Sequence, residues 1–368
     1  MKKILALVLT CVMAVSLMAG CGNSGSGSTT APETKKTDET QAAGTKGTDA
    51  PDAEAGESKE GATEAAGDTK APAADGKVYK IGICQQLEHA ALDEATQGFK
   101  DACTKLFGEG NVEFDFQNGQ GEQTNCATIC NNFVAANVDL ILGNATTALQ
   151  CAAAATNSIP VLGTSITDYA TALDIKDWTG ATGTNISGTS DLAPIDQQAV
   201  MLKELFPDVK KVGIVYCSAE PNSAYQANLF EEALEKDGIA YSEFTAADSN
   251  EIQSVVTAAI GECDVLYIPT DNTMAANTEI INNICKPAGI PIITGEEGIC
   301  KGCGVATLSI SYYDIGYKAG EMAYDILVNG ADISTMEIAN APNVVKKYNA
   351  ELCEALGVTV PDGYEAIE

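Results

Sequence analysis

From residue 78 onward, short apolar runs alternate with helical patterns almost without a break, and that alternation leaves few architectures open. VYKIGICQ (78–85) precedes a helical pattern at 90–107, VEFDFQ (112–117) one at 123–136, and VDLILG (138–143) one at 146–157, with IPVLGT (159–164) following. After a helical stretch at 194–206 the plan repeats. KVGIVYC (211–217), a helix at 223–236, IAYSEFT (239–245), a helix at 250–260, DVLYIPT (264–270), a helix at 273–285 and IPIITG (290–295) come in turn. GVATLSI (304–310) and a long helical pattern from about 312 to 329 close the series. Nearly continuous apolar runs of strand length are the mark of parallel strands covered on both faces. Two such blocks predict an α/β protein of two doubly wound parallel-sheet lobes, each with helices on both faces of its sheet.

In open parallel sheets ligands bind beyond the carboxyl ends of the strands. Polar residues cluster at those ends. The first block has Gln85-Gln86-Leu87-Glu88-His89, Gly143-Asn144-Ala145-Thr146-Thr147 and Gly163-Thr164-Ser165-Ile166-Thr167. The second has Tyr216 followed by Glu220-Pro221-Asn222-Ser223, then Pro269-Thr270-Asp271-Asn272 and Gly295-Glu296-Glu297. Any one of these could serve only as a helix N-cap. Their recurrence at nearly every strand end points to one polar pocket between the lobes. His89, the single histidine, is open to two readings: a residue that serves the start of the first helix, or a pocket-rim residue.

The chain ends and the charge narrow the class. Lys2 and Lys3 precede an apolar stretch, Ile4 to Met18, that is short for a bilayer span and reads as a secretory signal. It ends in Leu17-Met18-Ala19-Gly20-Cys21, which resembles the lipobox of bacterial lipoproteins. That resemblance implies a signal peptide over 1–20 and a lipid on Cys21. Residues 22 to 77 carry Gly, Ser, Thr, Ala, Pro, Lys and acids with no aromatic residue, the composition of a disordered tether. The remainder holds 13 lysines against 40 acidic residues, and the whole chain, at net charge −30, has no arginine. Such a balance excludes a nucleic-acid surface. It also removes the bidentate guanidinium clamp for phosphate or dicarboxylate ligands. Of thirteen cysteines, eleven fall after the tether, scattered and odd in number, which argues against a closed disulfide framework. Cys300-Lys301-Gly302-Cys303 has redox-motif spacing without a strand-to-helix setting; one disulfide is its better reading.

The stretches EHAALDEATQGF, GTSITDY, SDLAPIDQQ, PNSAYQ, YIPTDNTM and ISYYDIGYKAGEMAYDIL resemble, in order, the extracytoplasmic substrate-binding lipoproteins of ABC importers. Within those they resemble the tryptophan- and aromatic-amino-acid-binding (TrpX-like) subfamily. The resemblance covers about residues 78 to 330. Ala90-Ala91 departs from it where the family pattern has a proline after the histidine. It implies the type I periplasmic-binding fold, with three crossings near Ser187–Asp191, Gly298–Gly304 and Gly330–Ser334. Lobe 1 would then be 78–188 plus 304–331, and lobe 2 would be 189–303 plus 332–368. It further implies a monomeric, lipid-anchored protein on the outer face of the cell membrane, and the length of the tether, able to cross a thick wall, favours a cell of Gram-positive type. Its partners would be a small amino acid, an ABC permease and a separate ATPase, with no cofactor.

Rival readings fare less well. One histidine completes no Ser-His-Asp set, G-x-S-x-G and the phosphate-binding P-loop are absent, and His89 has no partner at metal-ligand spacing. A sensor with the same lobes, or a branched-chain amino acid, sugar or nucleoside ligand, stays open. For an amino acid and no arginine, the carboxylate is expected on helix N-termini and hydroxyls, at Ala145, Thr146, Thr147, Ser165 and Thr167. The ammonium is expected on Asp191, with Glu220 and Asp271 behind it. The side chain would lie against apolar surface and the amides of Gln86 and Asn222, with His89 at the rim. Glu88, Thr164, Tyr216, Ser223, Asn272 and Glu296 complete the candidate site. Trp178, the sole tryptophan, is expected near the cleft mouth.

Overall fold

The computed structural model describes residues 76–341 and 343–367. The expected signal peptide, Cys21 and nearly all of the tether lie outside the described residues.

Along the chain, β1 (Tyr79–Gln85) leads to α1 (Ala90–Phe107), β2 (Val112–Asn118) to α2 (Gln123–Ala135), and β3 (Leu140–Asn144) to α3 (Thr146–Ala155). β4 (Val161–Ile166) leads to the single turn α4 (Tyr169–Ala172), and β5 (Ile186–Ser190) to α5 (Ile195–Leu205). Then come β6 (Lys211–Cys217), α6 (Pro221–Asp237), β7 (Ala240–Ala246), α7 (Ile252–Ile260), β8 (Val265–Ile268), the short α8 (Asn272–Ala275) and α9 (Thr278–Ala288). β9 (Ile292–Thr294), α10 (Glu297–Cys303), β10 (Ala306–Ser309) and α11 (Tyr312–Leu327) follow. β11 (Ala339–Asn340), β12 (Val345–Tyr348), α12 (Ala350–Leu356) and β13 (Glu365–Ala366) end the described chain.

These strands form two sheets, in the orders β11-β5-β4-β3-β1-β2 and β13-β12-β10-β9-β8-β6-β7. Every pairing is parallel except β10 with β12. β3, β4, β5 and β8 are buried along their whole length, which explains why they lack the alternation of a half-exposed strand. Successive residues of one strand serve opposite cores. In the first sheet Ile81, Ile83, Leu140 and Leu142 pack with Phe99 of α1 and Ala319 of α11. Cys84 and Ile141 pack on the other face with Phe133 of α2 and Leu149 of α3. In the second, Ile214 and Tyr267 meet Phe230 of α6, whose ring stacks on Tyr267 at 3.6 Å. Val215, Leu266 and Ile268 meet Val256 of α7 and Ile281 of α9.

The helices α1 and α11 cross so closely that only glycine fits at the seam. A Cβ on Gly316 would stand 1.9 Å from the Ala95 carbonyl oxygen, and one on Gly98 would stand 2.1 Å from that of Tyr313. The seam fixes the starts of both helices relative to each other.

Three placements differ from expectation. β10 belongs to the second sheet, paired with β9 and β12, so residues 304–309 do not go with lobe 1; the chain turns back only at Ile310–Ser311. β5 runs to Ser190 in the first sheet, so 189–190 belong there and not with lobe 2. β11 pairs with β5, and the Ser187 hydroxyl donates to Met336 O at 2.9 Å, so 332–340 also stay with the first sheet. β5 itself, with the small polar sequence ISGTS, and two-residue β11 carry no apolar run for periodicity to detect.

Candidate functional site

The carboxyl ends of the two sheets face each other, with α4 packed against α6 and α1 against α10. On the first-sheet side, two non-glycine residues at adjacent strand ends hold positive φ: Ala145 at 82° and Ser165 at 57°. An L-residue pays of order 1–3 kcal/mol for such a conformation, and the strain concentrates at ligand sites. The Ala145 N–H donates to Thr164 O at 3.0 Å, and the Thr147 N–H to Gln86 Oε1 at 3.1 Å. The N–H groups of Ala145 and Thr147, two of the five residues expected to meet a carboxylate, are therefore engaged. What remains is Thr146, at the first turn of α3, and Ser165, whose buried hydroxyl has no partner among the described residues. The Thr164 hydroxyl, in contrast, accepts from Thr189 Oγ1 at 3.0 Å.

Asp191 is the centre of this side. It is 3% exposed and accepts from the Thr167 hydroxyl at 3.1 Å and the Tyr312 hydroxyl at 3.0 Å. Among the described residues no lysine comes within ion-pair distance of it. Burial pushes its carboxyl up to about 6, against the two hydroxyl bonds.

On the second-sheet side the acids are committed to their own helices. Glu220 accepts from the Asn272 and Thr273 N–H groups, the Asn272 amide, the Thr273 hydroxyl and, at 3.4 Å, the Asn222 amide. Asp271 caps α8 through the Met274 N–H at 2.8 Å and takes the Cys217 N–H at 2.7 Å. Burial, then the charge of Glu220, pushes Asp271 up to about 7. Glu296 caps α10 through the Gly298 and Ile299 N–H groups, and burial likewise lifts it to about 7. Asn222, Ser223 and the Gln226 amide gather on Thr270 O. Tyr216 lies in the hydrophobic core and donates to Glu243 Oε1 at 2.8 Å, so it does not join the strand-end group. Glu88 is exposed.

His89 occupies the N-cap position of α1, but its side chain makes no capping bond. Its Nε2 instead lies 3.1 Å from Asn272 Oδ1, across the cleft. Asn272 Nδ2 donates to Glu220 Oε2 at 2.7 Å, and a flipped amide would set oxygen against carboxylate. Asn272 therefore presents its oxygen to His89, and Nε2 carries the proton. Burial draws the imidazole below its ordinary value, partly opposed by the Asn272 bond and the charges of Glu220 and Asp93.

Two cavities reach this polar row. One, about 460 Å³, is lined by Ala90, Ala91, Glu94, Glu296, Glu297, Ile310 and Tyr312 among others. The other, about 430 Å³, is lined by Gln86, Thr147, Glu220, Thr273 and neighbours. Trp178 lines neither; it is 39% exposed on the loop between α4 and β5. Tyr312, which donates to Asp191, was not foreseen; its ISYYD context reads as the start of a helix and nothing more.

All eleven described cysteines are free and buried. The disulfide expected between Cys300 and Cys303 is not formed: the Cys303 thiol turns back to Ile299 O at 3.4 Å within α10. No group of three His, Cys, Asp or Glu among the described residues could hold a metal ion.

The family model for ABC transporter substrate-binding proteins matches residues 80–366. The chain belongs to that family. A tyrosine-binding protein of Clostridioides difficile is 31% identical over 357 residues, covering 96% of this chain and 92% of the relative. An ABC domain from Streptococcus pneumonia, solved in complex with L-Trp, superposes with a TM-score of 0.75 at 30% identity, over 79% of this chain and all of the other. The ligand-free, open structure of a substrate-binding protein with adhesive properties from Clostridium difficile is more similar in sequence, 36%, yet superposes less well, at 0.62, over 79% of this chain and 99% of that one. The fold is the type I periplasmic-binding fold, and a substrate-binding protein of an ABC transporter is its binding component, not an enzyme.

Proposed function

We propose that this protein captures a free aromatic α-amino acid between its two lobes and delivers it to an ABC permease driven by a separate ATPase. The observation that carries the reading is Asp191: a buried carboxyl, held by two hydroxyls, with no cation within ion-pair distance among the described residues. A ligand ammonium supplies the missing charge, and Glu220 and Asp271, already saturated by backbone and amide donors, recede as alternatives. The ligand carboxylate is met by the first turn of α3 at Thr146 and by the unpartnered Ser165 hydroxyl, where the helix dipole favours negative charge. The surrounding strand ends hold Ala145 and Ser165 at positive φ, a conformation that costs energy and so marks a position fixed by the fold. The aromatic class rests on the relatives, one named for tyrosine and one solved with L-Trp. The protein acts as a monomer outside the cytoplasm, on a tether whose Cys21 carries the lipid. Calorimetry of the tether-free domain against L-Trp, L-Tyr, L-Phe, L-Leu and a hexose tests the ligand class. Aromatic amino acids should bind; binding of only the hexose would refute the reading. Cys21→Ser should block processing and leave a larger, unlipidated form; a variant still cleaved at that position and still lipidated would remove Cys21 from the proposal.

A further inference from the structure

We infer that His89 and Asn272 form a latch that holds the lobes closed, and that Glu220 is the residue that positions it. The inference rests on the chain being a solute binder that opens and closes, but not on which solute it takes. The two partners are 183 residues apart and come from opposite sides of the cleft: His89 from the β1–α1 loop, Asn272 from the first turn of α8. Neither is explained by its own helix. His89 sits at an N-cap without capping, and the cap of α8 is Asp271. Glu220 grips the Asn272 amide and backbone together, so the carbonyl oxygen is aimed before the lobes meet. Hinge opening must break the His89 bond. A contact made only in the closed form stabilises that form whether or not a ligand is bound, and so slows release of any ligand. Glu220 acts here as a positioning residue, not as a partner of the solute.

His89 is the only histidine, so selective ¹⁵N-histidine labelling gives the signals of a single imidazole. In the ligand-free wild-type chain we expect the Nε2–H tautomer with a protected proton. In Asn272→Ala, and more weakly in Glu220→Gln, we expect mixed tautomers that exchange with water. With a bound amino acid, His89→Ala and Asn272→Ala should each speed dissociation about three- to tenfold, the loss of one buried hydrogen bond. The double variant should be no faster than the singles. Identical imidazole spectra in wild type and Asn272→Ala overturn the latch. So do single effects that multiply in the double variant, which would mean two independent contacts with the ligand. If no aromatic amino acid binds, the proposed function fails, while the ligand-free spectra still decide the latch.

Discussion

A carboxyl sealed from water beside two hydroxyls is costly to ionise, and Asp191 keeps that cost in the empty protein. The residue therefore separates function from stability. In Asp191→Asn the hydrogen-bonding shape persists while the charge is gone. Binding of an aromatic amino acid should weaken by roughly 2–5 kcal/mol, about thirtyfold or more. The ligand-free melting temperature at neutral pH should hold or rise, because the variant no longer buries an ionised group. Calorimetry and thermal scans on one preparation read both. An Asp191→Asn domain that binds like wild type would place the ammonium elsewhere. The neighbouring acids show the limit of reading residues from sequence. Glu220, Asp271 and Glu296 stand at strand ends as Asp191 does, yet their oxygens are spent on N–H groups of adjacent helices. Spacing along the chain places a carboxylate at a helix start; it does not say whether the group turns to its own helix or to the cleft. Asp191 stood apart in the sequence only by its place just past the first expected crossing between the lobes.

At the scale of elements, the seam between α1 and α11 positions two residues of the first-sheet side of the cleft, because His89 precedes one helix and Tyr312 opens the other. Gly316→Ala would drive a methyl into the Ala95 carbonyl, a backbone atom that cannot swing aside. It should cost about 1–3 kcal/mol of stability or more. Gly261→Ala is the contrast: its φ is ordinary and its nearest neighbour stands 3.4 Å away, so it should be neutral or gain up to about 1 kcal/mol. Denaturant midpoints of the two variants check the pair, and equal effects would mean that the seam is looser than drawn. Much of the element order was legible, because parallel strands such as ILG in β3 and VLYI in β8 are apolar on both faces. The crossings were not. β10 reads as a strand from its sequence, but nothing local says which sheet it joins, and that is settled by pairing with β9, distant only in the sense that a sheet edge is chosen by the whole fold. The seam glycines were equally hidden, since glycine inside a helix reads as a weakness until a second helix lies against it.

For the molecule as a whole, acidity should act in opposite directions on stability and binding. Asp191, Asp271 and Glu296 are lifted by burial to about 6, about 7 and about 7 from ordinary values of 3.8, 3.8 and 4.5. Folding then takes up protons between about pH 4 and pH 7, so these groups raise the stability of the ligand-free domain as the pH falls through that window. Relief of self-repulsion in a chain of net charge −30 has the same sign. Amino-acid affinity should fall over the same interval, because a protonated Asp191 offers no charge to an ammonium. Melting scans from pH 8 to pH 5, with and without ligand, should therefore converge; curves that stay parallel would uncouple Asp191 from the ligand. The buried thiols lead to a different consequence. Each of the four large cores contains at least one cysteine, among them Cys103, Cys126, Cys285 and Cys353, and none is cross-linked. The folded domain can therefore form without oxidative machinery, and a thiol-reactive reagent meets a fully buried sulfur such as that of Cys103, Cys126 or Cys300 only where the protein has transiently come apart. The chain thus carries its own clock of local unfolding in every layer, one that each alkylated position would read out separately.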